Sequence, residues 1–410
     1  MKTLFRSLLT LLTLLAPAAA VRAEDEVLHW NRVATAEAAA AQTDPITESR
    51  AFAMLHVAMF DAVNAAEPRD TPYLDRRPAA PGASASAAAA VAAHDVLVQT
   101  LPKLRAAFDR ELETSLHALP QGKATDDGVA LGRAVARDVL ATRRSDGSER
   151  KVSSVVGSRP GAYRPTPPDL TPAFMVQWGS VKPFALRSPA QFRPGPPPAV
   201  DGEVARRDVE VVRAVGAQEG AVRNDEQSEI ARYWYENSTQ GWNRITREVA
   251  AAHALDLHDD ARLFALVNMA MADGYISVFE AKYHYLYWRP VTAIREGGSS
   301  DWLSYLGTPP IPDYPSGHTV EGAAVATVLA RFFGTDFVPF QMESGAPYAG
   351  ITRRFWSFSE AARENGASRV FAGIHFPTAV DQGYVLGQSV GTWVFEHGLK
   401  PSAAVAISAR

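Results

Sequence analysis

Apolar residues recur at helical spacing along nearly all of this 410-residue chain, and continuous strand alternation is absent. That periodicity predicts an all-α fold. In the first half it marks Thr47 to Ala66, where Ala51, Leu55, Ala58 and Ala62 share a face. It continues in the alanine-rich stretch Ala85 to Leu101, interrupted by Pro102, and in Ala106 to Leu119 and Gly128 to Arg143. These predict an N-terminal bundle of about four helices within residues 24–143. In the second half Val204 to Val215, Glu226 to Tyr235 and Trp242 to His253 are predicted helices. The longest, Asp260 to Trp288, is expected to end where Pro290 restricts the residue before it. His318 to Phe333 is a further helix stopped by Gly334, and Pro377 can open the last, to about Glu396. Residues 203–410 are thus expected to form a second bundle packed on the first. No repeat at a fixed short period is visible.

Between the two predicted bundles, residues 144–202 are rich in proline, most densely at Pro194-Gly195-Pro196-Pro197-Pro198. Proline has no amide donor and breaks helices. Trp178, Phe184 and Phe192 need a surface to pack on, so this segment is expected to be an ordered crossover, not a loose linker.

Residues 1–23 are expected to be a cleaved signal peptide. Lys2 and Arg6 give a positive start, Leu8 to Leu15 a short apolar run, and Val21-Arg22-Ala23 small residues at the right places for a cut. The run is too short to cross about 30 Å of hydrocarbon comfortably. Export to the periplasm or the extracellular space follows, with a mature chain starting at Glu24. Beyond the signal no run of about 18 apolar residues occurs, so no membrane span is expected. The chain has no cysteine, which excludes disulfides, thiolate metal sites and thiol catalysis. A net charge of −4 gives no reason to expect nucleic acid as a partner.

Three stretches bring cations and histidines together. The first, Lys282-Tyr-His-Tyr-Leu-Tyr-Trp-Arg289-Pro290, spaces its two cations by nearly two helical turns, so on one helix both point the same way. Exposed, this is an ordinary basic stripe. With Tyr283, Tyr285, Tyr287 and Trp288 around it, it reads as a partly buried helix end, where unpaired charge is costly. The second, Pro312-Asp313-Tyr314-Pro315-Ser316-Gly317-His318, leads straight into a helix. Ser316 fits the N-cap, Gly317 lets backbone approach a ligand, and the free amides of a helix start favour an anion. The third, Ser368-Arg369-Val-Phe-Ala-Gly-Ile-His375-Phe-Pro377, places His375 in a connection before the last helix, from which it can reach a pocket lined by Arg369. The other histidines show no pair at metal-ligand spacing with a third ligand nearby and are read as structural.

In their order and spacing, Lys-x6-Arg-Pro, Pro-Ser-Gly-His and Ser-Arg-x5-His resemble the superfamily joining vanadium-dependent haloperoxidases with type 2 phosphatidic acid phosphatases and bacterial acid phosphatases. The Ala281-Lys282-Tyr283 helix and the segment Leu55 to Asp61 look like its soluble haloperoxidase branch. The resemblance implies two helical bundles of the vanadium chloroperoxidase kind. It implies that Lys282, Arg289 and Arg369 bind the oxygens of vanadate or phosphate, with Ser316 and the Gly317 amide as further donors. His318 would be the acid–base group. His375 would be the axial vanadium ligand of a peroxidase or the phosphorylated nucleophile of a phosphatase. Three fixed cations suit a multiply charged oxyanion, and charge-assisted bonds to it are strong.

The implied activity is oxidation of halide by hydrogen peroxide at a histidine-bound vanadate, with no flavin, nicotinamide or haem. The alternative is a secreted phosphomonoesterase acting on a phosphate ester through a phosphohistidine. A third possibility, phosphate capture without turnover, gives no reason for two histidines. One position departs from the family pattern. The aspartate often found four residues after the second histidine is Ala379 here, and the nearest acid is Asp381. Something must still orient the His375 imidazole, either Asp381 or a backbone carbonyl.

Overall fold

Short polar side chains set many of the helix starts. Asp25, Asp44, Ser84, Asn224, Asn237, Asp256 and Ser357 each stand in extended backbone at an N-cap and accept first-turn amides. These are donors that a helix start otherwise leaves free. The computed structural model describes residues 24–74, 82–153 and 156–402. The expected signal segment 1–23 lies outside the described residues.

The protein is mostly helical, with thirteen α-helices among the described residues. The first half forms α1 (Glu26–Ala40), α2 (Pro45–Ala66), α3 (Ala85–Thr100), α4 (Arg105–Ala118) and α5 (Lys123–Arg143). The second half begins with α6 (Glu203–Val215), α7 (Asp225–Tyr233), α8 (Ser238–His253) and α9 (Leu257–Tyr285). It continues with α10 (Pro290–Glu296), α11 (Gly317–Phe333), α12 (Phe358–Phe371) and α13 (Pro377–His397). The all-α expectation is amended by one hairpin, β1 (Phe340–Glu343) against β2 (Thr352–Phe355), antiparallel with Phe340 opposite Phe355. Four residues per strand are too few for alternation to register in the sequence.

The longest helix, α9, organises the fold. It packs against α2 on one side and against α11 and α13 on the other, and one hydrophobic core runs past it through both halves. Among the described residues it is the one helix long and apolar enough to cross a membrane, and its apolar stretch is 94% buried inside the protein. Buried Asp273 of α9 accepts the amides of Phe184, Ala185 and Leu186 at 2.6, 2.8 and 2.9 Å, which ties the crossover to the core. The prolines of the crossover leave carbonyls without partners, and tyrosines take them. Tyr285 Oη donates to Pro194 O, Tyr314 Oη to Gly195 O at 2.8 Å, and Tyr287 Oη to Pro198 O at 3.2 Å.

Two departures from the sequence reading bear on the site. Helix α9 stops at Tyr285, not Trp288, because Leu286 takes a left-handed conformation (φ 50°). Lys282 and Arg289 therefore lie on different elements, with Arg289 at the N-cap of α10. Helix α12, which carries Arg369, was not marked by apolar periodicity. Its buried face is Phe358, Ala361, Ala362, Asn365, Gly366, Ser368 and Arg369, too small and polar for an apolar stripe.

The site helix α11 is held by a glycine stripe on α13. A Cβ at Gly383, Gly387 or Gly391 would lie 2.7, 2.3 or 2.4 Å from the carbonyl oxygens of Ser316, Val320 and Ala324. The Ser316 amide donates to Ala379 O at 2.9 Å across the same contact. Gly387→Ala is expected to force the helices apart and lower stability by about 1–3 kcal/mol, read as a lower urea midpoint with an unchanged m-value.

Candidate oxyanion site

Five chain segments deliver the seven residues singled out by the sequence. Lys282 comes from the last turn of α9, Arg289 from the start of α10, and Ser316, Gly317 and His318 from the start of α11. Arg369 comes from the last turn of α12, and His375 from the connection to α13. Both the Ile374 and His375 amides donate to Arg369 O, at 3.2 and 3.3 Å, which folds the connection back over the helix end. Lys282, Arg289, Ser316, Arg369 and His375 are buried, while Gly317 and His318 are half-buried.

Backbone carbonyls fix the cations. Lys282 Nζ donates to Pro312 O at 2.7 Å and Asp313 O at 2.9 Å. Arg289 Nε donates to Ile311 O at 2.7 Å and its Nη1 to Ile374 O at 2.6 Å. Arg369 Nη1 donates to Trp234 O at 2.9 Å. Each guanidinium keeps a buried nitrogen without a partner, Nη2 of Arg289 and Nε of Arg369. Ser316 caps no amide. It accepts from Thr319 Oγ1 at 2.8 Å, so its own proton stays free to donate. The space over Gly317 is open. These orphaned donors form a set that a tetrahedral oxyanion would satisfy.

His375 resolves the question left by Ala379. Asp381 is exposed on α13, and the acid beside the ring is Asp313, whose Oδ1 stands 2.9 Å from His375 Nδ1 and 3.8 Å from Arg289 Nη1. The approach to Nδ1 lies off the hydrogen-bond line, so the pair is a close electrostatic contact. Arg289 Nη1 lies 3.1 Å from His375 Nε2 and can only donate, so Nε2 carries the lone pair and Nδ1 the proton. Burial pushes His375 well below its usual pKa, with Arg289, Lys282, Arg369 and His318 adding to the effect. The imidazole is thus neutral, with its lone pair on the side of the cations.

Burial also lowers Lys282 well below the ordinary lysine value, Arg289 below its usual range and Arg369 to about 10, despite the neighbouring acids. Asp313 is pushed up to about 7 by burial, against the pull of Arg289 and Lys282. His318 is lowered by burial and by Arg369. His318 keeps part of its surface open, so burial weighs on it less than on His375. His318 Nε2 donates to Glu236 O at 3.3 Å. It lines a pocket of about 660 Å³ with Arg369, Tyr235, Arg247 and Pro347. Among the described residues, none of 144–202 lines that pocket. The crossover braces the opposite side of the site through its tyrosines.

The sequence reading missed Asp313 and Glu321 as site residues. Asp313 lay in view within the Pro-Ser-Gly-His stretch. Its link to His375 spans 62 positions, and only tertiary structure shows it.

Fold and site together define a mostly helical protein with a buried cluster of cations and histidines. Residues 262–402 match the family model of the VCPO second helical-bundle domain. That match covers about a third of the chain, and by sequence the chain is similar to vanadium haloperoxidases and to an acid phosphatase. It is 28% identical to the vanadium chloroperoxidase of Curvularia inaequalis, in an alignment over 33% of this chain and 32% of that protein. The chain thus spans about a third of that relative's length. It is also 28% identical to the non-specific acid phosphatase of Salmonella typhimurium, over 48% of this chain and 70% of the relative. Among solved structures, the first bacterial vanadium-dependent iodoperoxidase superposes with a TM-score of 0.80 at 27% identity, covering 92% of this chain and 97% of the other. A holo-type bacterial vanadium-dependent chloroperoxidase superposes with a TM-score of 0.73 at 21% identity, covering 93% and 94%.

Asp313→Ala removes the acid that holds His375. Its affinity for vanadate by titration calorimetry is expected to fall about 10–100-fold. Asp313→Asn, which keeps an oxygen able to accept from Nδ1, should lose less. Equal affinities in all three proteins would show that Asp313 does not orient the ring.

Proposed function

We propose that this chain is a vanadium-dependent haloperoxidase that oxidises halide with hydrogen peroxide. The observation that carries the reading is the neutral His375, its Nε2 lone pair turned to buried cations that keep unpaired N–H groups. The likeness to the bacterial iodoperoxidase over almost the full length of both chains supports the same reading.

The donor set fits vanadate, which when bound would supply the oxidising chemistry. Lys282, Arg289 and Arg369 would neutralise its oxygens, Ser316 Oγ and the Gly317 amide would donate to them, and His375 Nε2 would be its protein ligand. These donors are held before any ligand arrives, and preorganised donors stabilise charge without reorganisation. His318, which lines the pocket, would exchange protons with whatever enters. The signal-like first 23 residues support export.

One observation favours a second reading, secreted acid phosphatase. The pocket of about 660 Å³ above His318 has room for an organic leaving group, far more than halide and peroxide require. There His375 would attack phosphorus, and His318 would protonate the leaving oxygen.

Protein loaded with orthovanadate is expected to halogenate a phenolic acceptor when given peroxide with iodide or bromide. His375→Ala should lower that rate about a hundredfold or more. Bound vanadate without halogenation would sink the peroxidase reading. Phosphate release from an aromatic phosphate ester at acidic pH, lost in the same variant, would establish the alternative.

A further inference from the structure

Glu321 has no part in the scheme above, yet it is fully buried one helical turn beyond Gly317 on α11. The spacing of four puts its carboxyl on the face that carries the Gly317 amide. One carboxyl oxygen, Oε2, accepts from Ser238 Oγ of α8. Ser238 Oγ lies 2.8 Å from Tyr275 Oη of α9, so a relay of hydroxyls ends on Oε2. The other oxygen, Oε1, is buried without a partner. A Cβ built on Gly317 would find Glu321 Oε1, at 3.9 Å, as its one neighbour within 4 Å outside the local helix backbone. The open space over Gly317 is therefore faced by a free carboxyl oxygen.

An ionised carboxylate there would oppose any oxyanion bound over Gly317, and repulsion in a water-poor site is strong. A neutral carboxylic acid has an O–H to give, and Oε1 lacks a partner for one. The charged groups around it set the balance. Lys282 from α9 and Arg369 from α12 favour the ionised form, as does the hydrogen bond from Ser238, which Tyr275 backs. Burial outweighs them and pushes Glu321 up to about 8. His318, on the same helix, is itself held neutral by burial and Arg369. A bound anion would take up the favour of Lys282 and Arg369 and raise Glu321 further.

We propose that Glu321 is a proton-coupled positioning residue of the oxyanion site, which takes up one proton from solvent as a tetrahedral oxyanion binds and donates Oε1–H to that anion. The inference rests on the oxyanion-site reading but not on which reaction the site performs. The acid form is the binding form. Affinity is full below the pKa of Glu321 in the free protein and is lost as pH rises through it.

Tungstate is a suitable probe, because this tetrahedral dianion does not itself titrate between about pH 7 and about pH 9. Calorimetry at about pH 8.5, in two buffers of different ionisation enthalpy, counts the protons taken up. Wild type is expected to take up roughly one-half to one proton more than Glu321→Gln, whose amide donates at every pH. Above about pH 8 its affinity should fall up to about tenfold more per pH unit than that of the variant. Ser238→Ala, which removes a bond to the ionised form, should move the wild-type midpoint to higher pH. Equal proton uptake in wild type and Glu321→Gln, or an unmoved midpoint in Ser238→Ala, overturns the proposal. Folded wild type that binds no tungstate overturns the oxyanion site as well. Proton-coupled tungstate binding without halogenation overturns only the peroxidase reading.

Discussion

Like charge gathered out of water is the constraint around which this molecule is built. Lys282, Arg289 and Arg369 are buried within electrostatic reach of one imidazole. Each such ion costs several kcal/mol of desolvation unless partners offset it. The protein supplies partners that are mostly dipoles: the carbonyls of Ile311, Pro312, Asp313, Ile374 and Trp234. Carbonyls orient a cation without cancelling its charge. The nearby acids add little cancellation, since burial lifts both Asp313 and Glu321 toward their neutral forms. What remains is an excess of positive charge with free donors, which an oxyanion would relieve.

Such strain is tolerable only where the surrounding structure is over-determined. The shared core along α9 supplies the apolar burial. The glycine stripe of α13 brings the start of α11 within backbone contact, so Ser316 and Gly317 cannot drift. On the far side, the tyrosines between and beside the cations fasten the proline-rich crossover, whose carbonyls lack amides of their own to pair with. Aromatic residues read at first as a sign of burial thus have a second use, as clamps for a segment that cannot make regular structure.

Much of this was legible in the sequence wherever one face of an element is apolar. The helices of both halves and the order of the three motifs stood out for that reason. Helix α12 did not, because its buried face is made of small and polar residues. The convergence of Lys282 and Arg289 was anticipated for the wrong reason. Continuous helical phase was expected to align them, whereas the left-handed Leu286 breaks the helix and the Arg289 side chain reaches back. Asp313 and Glu321 stayed hidden because their meaning lies in contacts with His375 and with Ser238 and Tyr275, which no spacing rule encodes. A buried carboxyl inside a helix pattern is itself the available signal, and Glu321 between Val320 and Gly322 is such a case.

The two site histidines show how one residue type is given two roles by position. Both are held neutral by burial and by the same cations. His375 is buried, its Nδ1 proton beside Asp313 and its lone pair toward Arg289, so little of it meets bulk water. His318 sits on the pocket wall and donates only a long bond to Glu236 O. A group that must exchange protons during turnover needs access to solvent or substrate. A group that must hold a fixed bond needs a locked ring and a settled tautomer. The proposed division, His318 as proton carrier and His375 as ligand or nucleophile, therefore follows from exposure and from what stands behind each ring, a backbone carbonyl for His318 and the Asp313 carboxyl for His375, with no appeal to the residue type they share.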